Sequence, residues 1–241
     1  MNRAKSETIA LLAGVSACAL LSPACYVTTE NRGVPETATQ SVPLKGAKSA
    51  EVNVEMGAGE LIMHGGAADL MDAEFRYRSS NGRPDVQYDV NGARGTLTVH
   101  QTRQHHLGNN GENTWDLRMN EDIPLDVRVK MGAGEGRLTL GSTALHSLDV
   151  EVGAGQMNVD LTGHPRGDID VRVRGGVGEA TVRLPKRARL DVEAHGGLGE
   201  ITAHGLTKRG DRWVNEPAGE AEATIHVSVN GGIGQINLIC E

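Results

Sequence analysis

Short stretches of alternating apolar and polar residues recur along the chain, and a glycine motif interrupts each one. Leu148 and Val150 alternate with acidic residues before the glycine pair at residues 153–155. After that pair, Met157 and Val159 alternate with polar residues. A period of two predicts half-buried β-strands. Glycine accepts positive φ and lets backbones approach closely, so each motif predicts a sharp corner between two strands.

Six segments share this Gly-x-Gly pattern. When they are aligned on the second glycine, apolar residues stand seven and five positions before it in every copy, and Glu or Gln follows it directly. A weaker seventh copy spans residues 88–99 and keeps only the outer apolar positions. The predicted structural corners are Gly57, Gly59, Gly132, Gly134, Gly153, Gly155, Gly176, Gly178, Gly197, Gly199, Gly232 and Gly234.

The spacing of the copies predicts how they pack. The second glycines at positions 134, 155, 178 and 199 are 21, 23 and 21 residues apart. A repeat of about twenty residues with short strands is typical of a β-solenoid, in which each thin coil buries its apolar face against the next. We therefore predict an all-β fold, a β-solenoid-like stack of short strands with Gly-x-Gly corners, forming a single domain over residues 46–241.

Composition supports a narrow core and locates an insertion. The chain has 32 glycines but only 1 Phe, 2 Trp and 3 Tyr, so aliphatic side chains must fill the core. Four of these aromatic residues lie between positions 75 and 115, within the longest gap between copies. We predict a β-meander insertion at about residues 68–120. It would cap one end of the stack, because an uncapped end leaves an open strand edge.

The N-terminus resembles an export signal. Arg3 and Lys5 precede an uncharged run over residues 9–21, which is too short to span a bilayer permanently. We predict a lipoprotein signal peptide over residues 1–24 and lipidation of Cys25, with Cys18 as the alternative site. An ordinary secretory signal with incidental cysteines is the competing interpretation. Residues 25–45 would be a lipid-anchored flexible linker, and the membrane a partner through that anchor.

A column of acidic and amide residues follows the corners: Glu60, Glu135, Gln156, Glu179, Glu200 and Gln235. Stacked carboxylates repel unless they are protonated or bridged by cations, so the column is a candidate interaction ladder for Ca²⁺ or a cationic ligand. The competing interpretation is a row of solvated corner residues in which glutamine relieves the repulsion. The residues favour this second interpretation.

Other chemistries lack a complete set of residues. His100, His105, His106 and Glu112 share a polar stretch that is better explained as a solvated loop than as a zinc site, so we predict no metal. The Gly-x-Gly motifs lack the third glycine and the helix of a nucleotide site. No catalytic constellation is evident, and we predict neither an enzyme nor a small-molecule cofactor. The net charge of -7 argues against nucleic acid as a partner.

The order of motifs resembles the bacterial toast-rack proteins. It runs from residues 57–61 through Phe75-Arg76-Tyr77, residues 113–117 and 123–127, to the glycines at 132–135. That family is related to the soluble part of membrane proteins that respond to cell-wall-active antibiotics. The resemblance implies an all-β stacked rack on the outer side of a membrane, with no catalytic residues to carry over. The chain departs from the antibiotic-response proteins in lacking their group of transmembrane helices.

Three functions remain open. The leading one is a non-catalytic, exported lipoprotein on the periplasmic or outer face of the cell envelope. It would bind or sense an envelope protein partner, for example in an envelope stress response. The second is a structural or adhesive surface protein that assembles through solenoid ends, with residues 236–240 as the candidate terminal strand. The third is a β-solenoid that binds or cleaves polysaccharide, which the scarcity of aromatic residues disfavours.

Overall fold

The computed structural model describes residues 34–101, 112–217 and 219–241. The signal peptide predicted at residues 1–24 and both candidate lipidation sites, Cys18 and Cys25, lie outside the described residues. In the part that is described, strands predominate, and no helix is long and apolar enough to cross a membrane.

Thirteen strands and one short 3₁₀ turn make up the described chain. The strands are β1 (Pro35–Val42), β2 (Ser49–Ala67), β3 (Met71–Arg78), β4 (Pro84–Asn91), β5 (Arg94–Gln101), β6 (Asn113–Asn120), β7 (Leu125–Thr139), β8 (Leu145–Asp160), β9 (Ile169–Leu184), β10 (Arg189–His204), β11 (Thr207–Arg209), β12 (Arg212–Val214) and β13 (Thr224–Cys240). The turn covers Ser79–Asn81. The prediction of an all-β fold is confirmed.

Each of the six copies forms one long strand that bends at its glycine corner. The strands are 15 to 19 residues long, because the chain stays extended through the corner instead of breaking into two short strands. Buried residues occupy odd positions before the second glycine and even positions after it, as Val52 and Met63 show around Gly59. The positive φ of that glycine, 147° at Gly59, produces this switch. We call the two halves the first arm and the second arm, and both contribute to one core.

The copies do not stack in sequence order. The parallel order is β2-β7-β8-β9-β13-β10, so the last copy lies between the fourth and the fifth. The expectation that residues 236–240 form a terminal strand is therefore wrong, because β13 pairs with β9 on one side and β10 on the other. After β10 the chain makes the β11–β12 hairpin, which pairs with the outer edge of β10 before β13 returns to the interior.

The insertion caps the β2 end of the stack with strands that divide between the two arms. β5 pairs in parallel with the first arm of β2, and β6 pairs in parallel with its second arm. β4 then covers β5, and β3 covers β6, both antiparallel. The expected seventh copy at residues 88–99 is wrong: these residues form the β4–β5 hairpin, which turns at Gly92 with φ 61°. The sequence pattern does not distinguish the two structures, because the strands of a hairpin and the arms of a corner both alternate apolar and polar residues.

The aromatic residues of the insertion close the core. Trp115 is fully buried and meets Phe75 edge-on, with the ring centroids 5.6 Å apart. The Trp115 indole Nε1 donates to Asn113 Oδ1 at 3.0 Å, which satisfies its buried polar atom. Tyr77 is also buried and donates its hydroxyl hydrogen bond to Glu36 on β1. These rings are structural parts of the cap and do not form an exposed binding face.

The flexible linker predicted for residues 25–45 is wrong for residues 35–42. These residues form β1, which pairs antiparallel with β3 along its whole length. Ala38 and Gln40 are half-buried and Val42 is buried, so the strand packs one face on the cap. Pairing satisfies backbone groups of β3 that would otherwise form an open edge. The Thr-rich and Ser-rich composition of this segment concealed its alternation.

Arg94 fastens the insertion to the stack. Its Nη2 lies 3.2 Å from Glu51 Oε2 on β2 and 3.0 Å from Asp126 Oδ2 on β7. The hydrogen bond from Arg94, together with those involving Asn53 and Arg128, lowers the pKa of Glu51 despite partial burial. Burial acts to raise the pKa of Asp126, but hydrogen bonds from His146, Ser147 and Arg94 outweigh it, and this pKa is also lowered. Both carboxylates are therefore held in the ionised form.

Candidate interaction surface

The six corners form two columns of stacked glycines. The second glycines have φ between 127° and 147°, a region that favours glycine. A Cβ on Gly178 would overlap the carbonyl oxygen of Gly155 in the next strand, and the same relation repeats along the column. A Cβ on Gly176 would likewise overlap the carbonyl oxygen of Gly153. The corners are thus packed backbone on backbone, and only the residue between the glycines carries a side chain outward.

That middle residue divides the stack into two halves. It is alanine in β2, β7 and β8, namely Ala58, Ala133 and Ala154. In β9, β13 and β10 it is Val177, Ile233 and Leu198, which are neighbours in register. Their exposed fractions are 54%, 53% and 70%, and only Val34 joins them as an exposed large hydrophobic residue in the described chain. We call Val177, Ile233 and Leu198 the corner ridge.

A groove lies behind the corner ridge because core side chains are missing there. Three positions before the second glycine, the first three copies place Met56, Met131 and Val152 in the core. The other three copies have Gly175, Gly231 and Gly196 at this position. Ile236 and Ile201 cover the space at Gly231 and Gly196, but a Cβ on Gly175 would meet no atom within 4 Å. The result is a shallow groove that is open to solvent, with a cavity volume of about 30 Å³.

The groove combines an apolar floor with a polar rim on which Arg174 and Glu179 have partners. Val152, Met157, Val173 and Ile236 contribute apolar surface, and the small Ala180 leaves the β9 layer open. On the rim, Arg174 Nη2 lies 2.9 Å from Asp149 Oδ1. Also on the rim, Glu179 Oε1 accepts from Asn237 Nδ2 at 2.6 Å. Such a floor suits an apolar group, because most of the lining residues are aliphatic or glycine.

The β10 end of the stack leaves half of a strand unpaired. β12 pairs only with Asp191–Glu193 of β10, and no described strand lies outside residues 194–204. Ile201 and Ala203 are only half-buried there. The outermost strands β1, β4 and β11 carry Pro35, Pro84 or adjacent Lys208 and Arg209, which discourage strand addition. We call residues 198–204 the open edge.

The residues of the predicted interaction ladder do lie next to one another on adjacent strands, but their order along the stack differs from their order in the sequence. The registers place its members in the order Glu60, Glu135, Gln156, Glu179, Gln235, Glu200. Glutamine therefore separates every acidic pair except Glu60 and Glu135. Arg137 bridges those two carboxylates, and this pairing raises the pKa of the guanidinium. The geometry supports a row of corner residues with relieved repulsion and not a run of stacked carboxylates for cations.

The remaining candidates give no chemical site. His100 Nε2 lies 3.7 Å from Asp85 Oδ2, while His105 and His106 lie outside the described residues. Within the described ranges, no three His, Cys, Asp or Glu residues are placed to hold a metal ion. Cys240 is buried, and burial raises the pKa of its thiol, which makes it a poor nucleophile.

The sequence contained a signal for the corner ridge in two positions at which the copies differ. These positions lie one and three residues before the second glycine, and the same three copies differ from the others at both. Where the middle residue changes from alanine to a large aliphatic residue, the position two residues before it changes from Met or Val to glycine. The first three copies therefore have a large aliphatic side chain on the core side of the corner, and the last three have one on its outer side.

Comparisons with known proteins agree with this geometry. The sequence profile of the N-terminal domain of toast-rack (DUF2154) matches residues 31–183. No functionally curated protein matches the chain in sequence. The matched region contains β1 to β8 and most of β9, so it includes the complete cap and the first four copies.

A solved structure shows the same architecture. A candidate cell adhesion protein from Clostridium sporogenes superposes with a TM-score of 0.81 at 30% identity, over 86% of this chain and 100% of that chain. A candidate adhesin from Bacteroides fragilis aligns over 86% of this chain and 97% of that chain, but with a TM-score of 0.28 and 10% identity. The first comparison extends past the profile match and covers most of the stack.

Proposed function

Because the chain belongs to the toast-rack family, we propose that it is a non-catalytic binding module of the cell envelope. The similarity to a candidate cell adhesion protein supports a surface role of this kind. Of the charged residues at the groove rim, Arg174 is engaged by Asp149 and Glu179 by Asn237. A groove with a largely aliphatic and glycine lining is suited to binding an apolar group.

The proposed location follows from the N-terminal sequence. Export by the signal at residues 1–24 and acylation of Cys25, or of Cys18, would tether the rack to the envelope membrane. The module would then face the periplasm or the outer surface. A role in sensing envelope stress is one form of this function, in which the anchored rack reports occupancy of its binding surface to a membrane partner.

The corner ridge is the observation that carries this proposal. Val177, Ile233 and Leu198 expose more than half of their surface, although soluble proteins rarely gather large aliphatic residues in one exposed row. Full burial of one such side chain is worth about 1.5–3 kcal/mol, so three together can anchor a protein interface. The adjacent groove would receive an apolar side chain of the envelope partner.

The test is recovery of the full-length chain on envelope fractions that lack it. We expect the double variant Val177→Ser/Ile233→Ser to lose most of its binding while folding normally, because both side chains are exposed. The matched control is Ala154→Ser, in the same corner column but outside the ridge. Equal recovery of the ridge variant and the control would contradict the proposal.

A second candidate function is assembly of a structural or adhesive surface layer through an end of the rack. The open edge of β10 favours it, because unpaired strand edges accept further strands. Polysaccharide binding has less support, since Phe75, Tyr77 and Trp115 are buried in the cap and cannot serve as sugar platforms.

A further inference from the structure

We propose that two copies of this chain pair through the open edge, with antiparallel strands related by a two-fold axis at Thr202. The backbone of residues 194–204 has no strand on its outer side among the described residues. Backbone N–H and C=O groups of an edge strand are satisfied best by another strand. This inference goes beyond the proposed binding function and does not depend on it.

The sequence of the open edge is complementary to itself in this register. Thr202 would lie opposite Thr202 of the second copy, and Ile201 opposite Ala203. Glu200 would lie opposite His204, and the symmetry repeats this pair on the other side of the axis. Opposed residues in antiparallel strands point to the same face, so the polar pairs stay outside and the aliphatic pairs extend the core.

Each opposed pair is favourable on chemical grounds. Threonine pairs and opposed carboxylate–imidazole pairs stabilise antiparallel strands. Ile201 and Ala203 are half-buried in one copy, and a second strand would cover their remaining surface. Leu198, the most exposed member of the corner ridge at 70%, lies at the start of the same edge. The other outermost strands carry proline or adjacent basic residues and offer no comparable self-complementary run.

A cross-linking experiment tests the pairing with the full chain in intact cells. Cysteine at position 202 would face its own copy across the axis, at a separation that a disulfide can bridge. We expect Thr202→Cys to give a disulfide-linked dimer under mild oxidation, sensitive to reductant. The matched control is Asn158→Cys, which occupies the same row of the second arm on the interior strand β8. We expect little dimer from it.

A charge exchange tests the register. His204→Glu would oppose Glu200 with a second carboxylate on both sides of the axis and weaken the dimer about tenfold or more. Adding Glu200→Lys to that variant should restore the dimer, since each pair then joins a lysine to a glutamate. Dimer mass is measured by light scattering on the detergent-solubilised full chain. Thermal unfolding of each variant shows that its fold is intact.

Three outcomes would overturn the proposal. The first is a full chain that remains monomeric at the highest soluble concentration. The second is equal cross-linking of Thr202→Cys and Asn158→Cys, which would indicate random collision. The third is failure of the double variant to regain the dimer lost in His204→Glu. Envelope binding by the corner ridge is measured separately with Val177→Ser/Ile233→Ser, so failure of one proposal is distinguishable from failure of the other.

Discussion

Gly234 lies directly on Gly178 in the corner column, and a Cβ on Gly234 would overlap the carbonyl oxygen of Gly178. This contact joins the last copy of the repeat to the fourth and displaces the fifth copy to the end of the stack. Ile233 therefore lies between Val177 and Leu198, and the outer side of the second arm of β10 has no partner strand among the described residues.

The first prediction concerns the corner glycines. We expect Gly178→Ala to destabilise the fold by about 3 kcal/mol or more, because the φ of 140° is strained for alanine and its Cβ would overlap Gly155. The matched control is Gly175→Ala, three residues away, where a Cβ meets no atom within 4 Å. That change should be neutral, or stabilising by about 0.5–1 kcal/mol. Urea unfolding followed by circular dichroism measures both.

Substitutions at position 175 also test the groove. A larger side chain, as in Gly175→Val, should fill the open space in the β9 layer and reduce binding of an apolar ligand without loss of stability. A Gly175→Ala variant as unstable as Gly178→Ala would show that the groove is already closed.

The second prediction concerns the cap. We expect Trp115→Ala to cost about 3–5 kcal/mol, because the ring is fully buried against Phe75. Trp213→Ala should cost less, since that ring is only half-buried, with Lys208 Nζ 5.3 Å from its centroid. Thermal unfolding of the two variants provides the comparison. Equal losses would contradict a buried structural role for the cap aromatic residues.

The third prediction concerns pH and Arg94. Glu51 and Asp126 have folded pKa values below their unfolded values of about 4.3 and 3.9. Their ionised forms therefore contribute stability above these unfolded values, and this contribution disappears as pH falls through the folded pKa values. We expect Arg94→Met to be less stable than the wild type at pH 6–7.

The difference between wild type and Arg94→Met should shrink steadily below about pH 4, as both carboxylates become protonated in either protein. Unfolding midpoints measured from about pH 3 to pH 7 give the profile. A control variant, Arg76→Met, removes a guanidinium that pairs with Glu74 on the same strand and should show a smaller pH dependence. A difference that is constant with pH would mean that Arg94 acts only through packing.

The fourth prediction concerns Glu60 and Glu135, the two acidic residues of the ladder that are direct neighbours. Arg137→Met would leave Glu60 and Glu135 opposed without their bridging cation. We expect a small loss of stability that increases at low salt, because exposed like charges repel and salt screens them. Adding Glu60→Gln should recover the loss. Calcium ions should not protect the wild type from unfolding, since glutamine interrupts the rest of the row.

The sequence allows the local structure to be predicted well. Alternation around each Gly-x-Gly motif predicts the strands and the corners, because the period of two and the need for positive φ are both local properties. The structure of residues 35–42 could not be predicted in this way. Their Thr and Ser content suggested a linker, yet pairing with β3 determines their structure, and that partner lies far along the chain.

The order of the copies could not be predicted in the same way. All six corners present equivalent glycine backbones, so nothing in the motif distinguishes a neighbour in sequence from a neighbour in space. The β11–β12 hairpin covers the first arm of β10, and β13 pairs with the opposite side of β10. The open edge follows from that order, and for this reason it emerges only from the structure.

The central claim is that β10, and not β13, forms the end of the rack through which it associates. Amide hydrogen exchange of the full chain at low and high protein concentration tests this most directly. In residues 199–204, some amides form no hydrogen bond with β13. We predict that these amides exchange fast at low protein concentration and slowly at high protein concentration. Amides of residues 236–240 should exchange slowly in both. Fast exchange in residues 236–240 with protection of residues 199–204 at both concentrations would contradict the claim.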